Sequence, residues 1–168
     1  MKIAIVTDTH YGVRSDNIHI LDHQKIFFDD IFFPYLKNNN IKTVVHLGDV
    51  VDRRKYINFN TLDRLHKDFL KPLHDITEEI VVIAGNHDTF YKNTNELNAL
   101  DKIFKGYNSK VFTSDPVEHT FSDGTTVLLL PWICSENLRK SLKMIRNTKA
   151  KACFGHLQLI GFEMHKVS

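Results

Sequence analysis

The sequence predicts an α/β protein: a sandwich of two sheets flanked by helices, with a mixed second sheet. Two observations of pattern carry the architecture. Short apolar runs alternate with helix-period segments through the first part of the chain, the order of a parallel sheet with helical crossovers. Later, 117–121 and 126–130 flank Ser122-Asp123-Gly124, which reads as a β-hairpin with a glycine-containing turn. A third observation concerns chemistry. Four apolar runs each end in polar residues: Ile3-Ala4-Ile5-Val6-Thr7 in Asp8-Thr9-His10, Val44-Val45-His46-Leu47 in Gly48-Asp49, Ile80-Val81-Val82-Ile83-Ala84 in Gly85-Asn86-His87-Asp88, and Ala152-Cys153-Phe154 in Gly155-His156. Residues that follow strands in this way gather at the carboxyl edge of an open α/β sheet, where such folds bind ligands.

In order, the first strand is expected over 2–7, followed by a polar loop over 8–16 that turns at Gly12. A helix follows from near Asn17. Its residues Phe28, Phe32 and Leu36 recur at i, i+4 and i+8, with Ile31 and Tyr35 alongside, so one face should pack on the sheet. Pro34 should kink or interrupt it, because proline removes a helical hydrogen bond, and Asn38-Asn39-Asn40 ends it. A strand over 42–47 leads to the central loop. A helix over 60–70 carries Leu62, Leu65 and Phe69 as its buried stripe. A strand over 80–84, an irregular polar stretch, a short helix over 96–104 and a strand over 110–112 follow. Pro131-Trp132 closes the hairpin. A helix over 135–147 presents Leu138, Leu142 and Ile145 on one face, and the last strand is expected over 151–154.

At 168 residues the chain is expected to form one domain. A composition of 42% hydrophobic and 25% charged residues is that of a globular protein, and a formal charge of +2 gives no global field for nucleic acid, so any such contact must be local. Cys134 and Cys153 lie in apolar sequence and read as small buried hydrophobes in a reducing compartment. The apolar start of the chain is too short for a signal peptide or a membrane span, so a cytoplasmic location and no membrane association are expected.

The gathered donors are Asp8, His10, Asp49, Asn86, His87, Asp88 and His156. Hard oxygens and imidazoles suit Mn, Mg, Fe or Zn, and carboxylates so close together repel without cations. Two divalent metal ions are the economical reading.

The ordered set Asp8-Thr9-His10, Gly48-Asp49-Val50-Val51-Asp52-Arg53, Gly85-Asn86-His87-Asp88 and Gly155-His156 resembles the calcineurin-like metallophosphoesterase superfamily. Within it the chain is similar to the SbcD-type DNA repair nucleases, including the recombination nucleases of T-even-like phages. The residues of that nearer likeness are 48–55, Tyr91-Lys92-Asn93, Pro131-Trp132-Ile133-Cys134-Ser135-Glu136-Asn137 and Gly161-Phe162. The resemblance covers nearly all of this chain but only about the first half of the family's protein. The family's final Gly-His-x-His motif and later domains are absent here, so the resemblance implies the amino-terminal part of a single nuclease domain, one that is weak or inactive alone.

The resemblance implies roles residue by residue. Asp8 and His10 bind a first metal, Asp49 bridges both metals through its two oxygens, and Asn86 and His156 bind the second. His87 is the general acid, and Asp52 accepts the other imidazole hydrogen of His87 and fixes its tautomer. Arg53 and Arg54 are candidates to grip phosphate, and Asp88 supports the ligands from behind. Lys55, Tyr56, Lys92 and Lys105 are candidates for a DNA track. Trp132 and His46 read as packing residues. The implied function is manganese-dependent exo- and endonucleolytic hydrolysis of DNA in recombination and double-strand-break end processing, with an SbcC-type coiled-coil ATPase partner and a homodimer. Two rivals stand beside it: a phosphatase or nucleotide phosphodiesterase of the same superfamily, and a non-catalytic scaffold or inactive fragment.

Overall fold

Residues 1–158 are described in a computed structural model. The central strands are β-branched and covered on both faces, which is why they read as unbroken apolar runs. β1 (Ile3–Val6), β2 (Thr43–His46), β3 (Glu79–Ile83) and β4 (Ser109–Phe112) form a parallel sheet in that order. β5 (Val117–Thr120) pairs antiparallel with β6 (Thr126–Leu130), and β7 (Ala152–Gly155) pairs parallel with β6, giving the mixed second sheet. Alternation along the strands divides the core. Val44, Ile80 and Val82 face the helices, where they meet Leu36, Phe69 and Leu73. Val45, Val81 and Ile83 face the other way and meet Phe121, Val127 and Leu129 of the second sheet.

The first long helical stretch comprises α1 (Ile18–Phe27), a wide π-helical turn (Phe28–Phe32) and α2 (Phe33–Asn38). Pro34 neither breaks nor stops it. The wide turn absorbs the missing donor just before the proline, with the Phe33 N–H bonding to the Phe28 carbonyl five residues back. The extra residue rotates the buried stripe. Phe28, Phe33 and Leu36 face the core, whereas Ile31 and Tyr35, expected alongside them, are each 59% exposed. The same device recurs in α3 (Phe59–Arg64), a π turn (Leu65–Leu70) and α4 (Lys71–Ile76), so this stretch runs past Leu70 and through Pro72.

Three other expectations are corrected. The helix expected over 96–104 is reduced to α5 (Leu100–Ile103), because Asn95 and Asn98 use their side chains on loop carbonyls and a local carboxylate instead of continuing a helix. In α6 (Leu138–Asn147), Ser141 is buried, while Leu138, Leu142 and Ile145 are partly open, at 42–43% exposure. Cys134 is buried as expected, but Cys153 is exposed, because β7 is the edge of its sheet. No helix among the described residues is long and apolar enough to cross a membrane.

Candidate metal centre

The loops that follow β1, β2 and β3 are stitched together beyond the ends of the strands. Asp8, His10 and Tyr11 donate backbone N–H groups to the carbonyls of Gly48, Asp49 and Val50, and Asp52 N–H returns to Tyr11. Gly48 and Gly85 make this approach possible. Gly48 has φ +95°, and a Cβ on it would stand 2.4 Å from Gly85 N; a Cβ on Gly85 would stand 2.2 Å from Asp49 Oδ1. Three of the predicted ligands, Asp8 (φ 54°), His10 (φ 42°) and Asp49 (φ 52°), adopt left-handed backbone. That conformation is uncommon outside glycine, although Asp and His are among the residues that tolerate it best. Periodicity carries no signal for it, and its concentration here marks a constrained site.

Asp88 holds the arrangement from beneath. It is fully buried, and its carboxylate accepts N–H bonds from Asp49 (2.8 Å) and Gly85 (2.8 Å) on one oxygen and from Val50 (2.9 Å) and Val51 (3.2 Å) on the other. Burial pushes its carboxyl up to about 7, with the charge of Asp49 adding to the rise and the N–H donors opposing it. His46, read from sequence as packing, is buried and also forms hydrogen bonds. Its Nδ1 accepts from Gly48 N–H at 3.2 Å, and its Nε2 lies 3.1 Å from Thr9 Oγ1, whose hydroxyl donates to Val50 O. The ring is therefore neutral with its hydrogen on Nε2, and burial holds its pKa down at about 3.

The five predicted ligands converge. Asp8, His10 and Asp49 bring donor atoms within 4.8 Å of one another. His10 Nε2 stands 3.5 Å from Asp8 Oδ1 and 3.5 Å from Asp49 Oδ2, and its buried Nδ1 has no hydrogen-bond partner among the described residues. On the other side, His156 Nε2 lies 3.1 Å from Asn86 Oδ1 and 3.5 Å from Asp49 Oδ2. His156 Nδ1 donates to Leu47 O at 2.9 Å, which leaves Nε2 as a lone pair facing two further acceptors. Lone pairs converging from nitrogen, amide and carboxylate repel unless a cation lies among them, so this donor set fits a divalent metal on each side of Asp49. One detail departs from expectation. A single oxygen, Asp49 Oδ2, faces both sides, because Oδ1 accepts the His87 backbone N–H at 2.8 Å.

His87 stands edge-on to His10, with ring centroids 4.9 Å apart. Its Nδ1 is 2.5 Å from a carbonyl, that of Asp52, so Nδ1 carries the hydrogen and Nε2 is left free. The backbone of Asp52 thus does what its carboxylate was expected to do. That carboxylate approaches His10 Nδ1 instead, at 3.7 Å, because the loop turns its side chain inward behind the first ligand pair. The two arginines also part. Arg53 is paired with Asp16 at 2.6 Å and lies over the Tyr56 ring. Arg54 reaches Thr89 and Tyr91 through one nitrogen and has no carboxylate partner among the described residues. It lines a cleft beside Asn86 and His156 together with Lys92 and Trp132. The sequence reading put Trp132 in the core. It is partly exposed, its ring centroid 6.2 Å from that of His156, and Asn95 and Asn137 fix its carbonyl. Gly161-Phe162 and His165 lie outside the described residues.

A mixed two-sheet α/β fold with an Asp, Asn and His cluster at the carboxyl ends of its strands defines a metal-dependent phosphoesterase. The calcineurin-like phosphoesterase family model matches residues 1–154, and the chain belongs to that family. Among curated proteins it is similar to exonuclease subunit 1 of Enterobacteria phage T4, 36% identical over 169 residues. That match covers 99% of this chain and 48% of the relative, so the chain spans about half the length of the protein it resembles.

Proposed function

We propose that this site hydrolyses phosphodiester bonds of DNA, as the nuclease part of a recombination and end-processing enzyme. The observation that carries the reading is the placement of Asp49 Oδ2 equally, at 3.5 Å, from His10 Nε2 and His156 Nε2, each beside a further oxygen donor. In this reading Asp8, His10 and Asp49 hold one divalent cation, and Asp49, Asn86 and His156 hold the other. The chemistry such ions supply when bound is neutralisation of phosphate charge and activation of water at neutral pH. Manganese is the proposed metal.

The chain's own residues do the rest. His87, with Nδ1–H tied to the Asp52 carbonyl, takes up a second proton at its free Nε2 and gives that proton to the departing oxygen. Arg54, held in place and without a carboxylate partner among the described residues, receives a phosphate oxygen. Asp88 keeps the ligand loops in register. The T4 relative is a subunit of an exonuclease, which supports DNA as substrate and a partner subunit. We assign that partner as an SbcC-type coiled-coil ATPase, with homodimerisation of the nuclease chain. The test is turnover of a duplex with a recessed end beside a phosphopeptide, each with manganese and with EDTA. Manganese-dependent cleavage of DNA is expected; turnover of the phosphopeptide alone would assign a phosphatase.

A further inference from the structure

A second group of donors gathers on the other side of the His10 ring. His10, Asp52 and His87 each bring one donor atom within 4.8 Å of the other two, and all three residues are partly buried. They come from the three loops that follow β1, β2 and β3. His10 Nδ1 is shielded from solvent and has no hydrogen-bond partner among the described residues. Asp52 Oδ1 stands 3.7 Å from it, too far for a hydrogen bond. That gap is spanned by an ion lying about 2 Å from each atom. The donor chemistry also differs from that of the first pair. Asp8, His10 and Asp49 offer two carboxylates and one imidazole, whereas His10, Asp52 and His87 offer two imidazoles and one carboxylate. Oxygen-rich sets suit manganese and magnesium, and imidazole-rich sets suit zinc.

We propose that His10, Asp52 and His87 form a zinc site that fills in place of the first manganese site and shuts the enzyme off. Three protein donors with an open position are enough to hold zinc. The exclusion follows from His10 itself. A neutral imidazole carries one hydrogen and one lone pair. When Nδ1 binds zinc, the hydrogen sits on Nε2, which faces Asp8 Oδ1 and Asp49 Oδ2 at 3.5 Å each. It then donates to those carboxylates and has no lone pair for a metal between them. When Nε2 binds manganese, the hydrogen sits on Nδ1 and closes the zinc side. Zinc also disables His87. With Nδ1–H tied to the Asp52 carbonyl and the other nitrogen on the ion, the ring has no nitrogen left to carry a proton. The exclusion rests on the metal-centre reading above; the zinc site itself does not.

The experiment titrates zinc chloride and manganese chloride, singly and in competition, into the metal-free parent, Asp8→Ala, Asp52→Ala and His87→Ala by calorimetry. Zinc affinity should fall at least 10–100-fold in Asp52→Ala and in His87→Ala, since even a group behind a ligand is worth that much, and should survive in Asp8→Ala. Manganese affinity should show the reverse dependence on Asp8 and His87. Zinc should displace one manganese ion from the parent. Long-range nitrogen–proton NMR of the zinc form should place the His10 hydrogen on Nε2. Zinc binding that follows Asp8 and ignores Asp52 and His87 would put zinc in the first site and overturn the proposal. So would no zinc binding, a His10 hydrogen on Nδ1 in the zinc form, or zinc and manganese held together at full stoichiometry. Zinc binding as expected in a parent that takes up no manganese would count against the metal-centre reading alone.

Discussion

Asp88 accepts the backbone N–H of Asp49 at 2.8 Å, so the carboxylate in one strand's loop fixes the predicted ligand at the end of another strand. With Gly85, Val50 and Val51 it completes four such bonds inside a dry pocket. An amide offers one acceptor oxygen and turns an NH₂ toward donors. Asp88→Asn should therefore cost ~1–3 kcal/mol for each buried donor left unpaired, and should weaken metal binding roughly 10–100-fold. Urea denaturation and calorimetric manganese titration check both effects. Unchanged stability would show that the clamp is dispensable.

His87 and Asp49 should separate chemistry from metal binding. Replacing His87 by Gln should lower cleavage about 10²–10⁴-fold with metal affinity nearly intact, the usual effect of losing a general acid. Replacing Asp49 by Ala should remove metal and activity together. A His87 variant that lost metal as completely as the Asp49 variant would make His87 a ligand.

His46 sets part of the acid sensitivity of the fold. Its folded pKa is held down at about 3 by burial, against 6.5 in the unfolded chain. Between those values the unfolded state takes up a proton that the folded state refuses, so stability falls as pH drops from about 6.5 toward 3. Denaturation midpoints in EDTA, measured from pH 7 to pH 4, should decline more steeply in the parent than in His46→Gln. Parallel slopes would remove His46 from the account.

Gly85→Ala places a methyl group 2.2 Å from Asp49 Oδ1. The loops would have to part, at a cost of about 1–3 kcal/mol or more as for overpacked cores, and Asp49 would move off the ligand position. Loss of manganese binding is expected even where circular dichroism shows a folded chain. Retention of metal affinity would mean that the loops part without displacing Asp49.

Arg53 and Arg54 should differ in kinetics. Arg54→Ala should raise KM for an oligonucleotide, with a smaller change in kcat. Arg53→Ala should act mainly on stability, by about 1 kcal/mol or less for a partly exposed ion pair with Asp16. Identical kinetic effects of the two changes would show that Arg53 leaves Asp16 to meet substrate.

The arrangement of strands and ligands was legible because buried parallel strands are apolar on both faces and stop abruptly. The ends of 3–6, 43–46 and 79–83 were therefore marked by Asp8, Asp49 and Asn86 themselves. What depended on distant partners was not legible. The pairing of Arg53 depends on Asp16, 37 residues away. Whether Asp52 orients His87 by carbonyl or carboxylate depends on how one loop turns. Pro34 looked like a kink or interruption, and the helix expected over 60–70 was ended too early, because a wide turn has no residue signature of its own. The open face of α6 carries the same period as a buried one, and only the neighbouring elements decide which it is.

Left-handed backbone at Asp8 and Asp49 has an evolutionary corollary. In the proposed reading these positions answer to two selective pressures, one from the cation and one from the bend of the chain, and the second persists when the first is lifted. In a lineage that gave up catalysis, drift at 8 and 49 would run toward Asn and Gly, which accept the bend, and away from Val, Ile and Thr. Asn or Gly at those positions would then be the fossil of an enzyme, readable in a descendant with no activity left to assay.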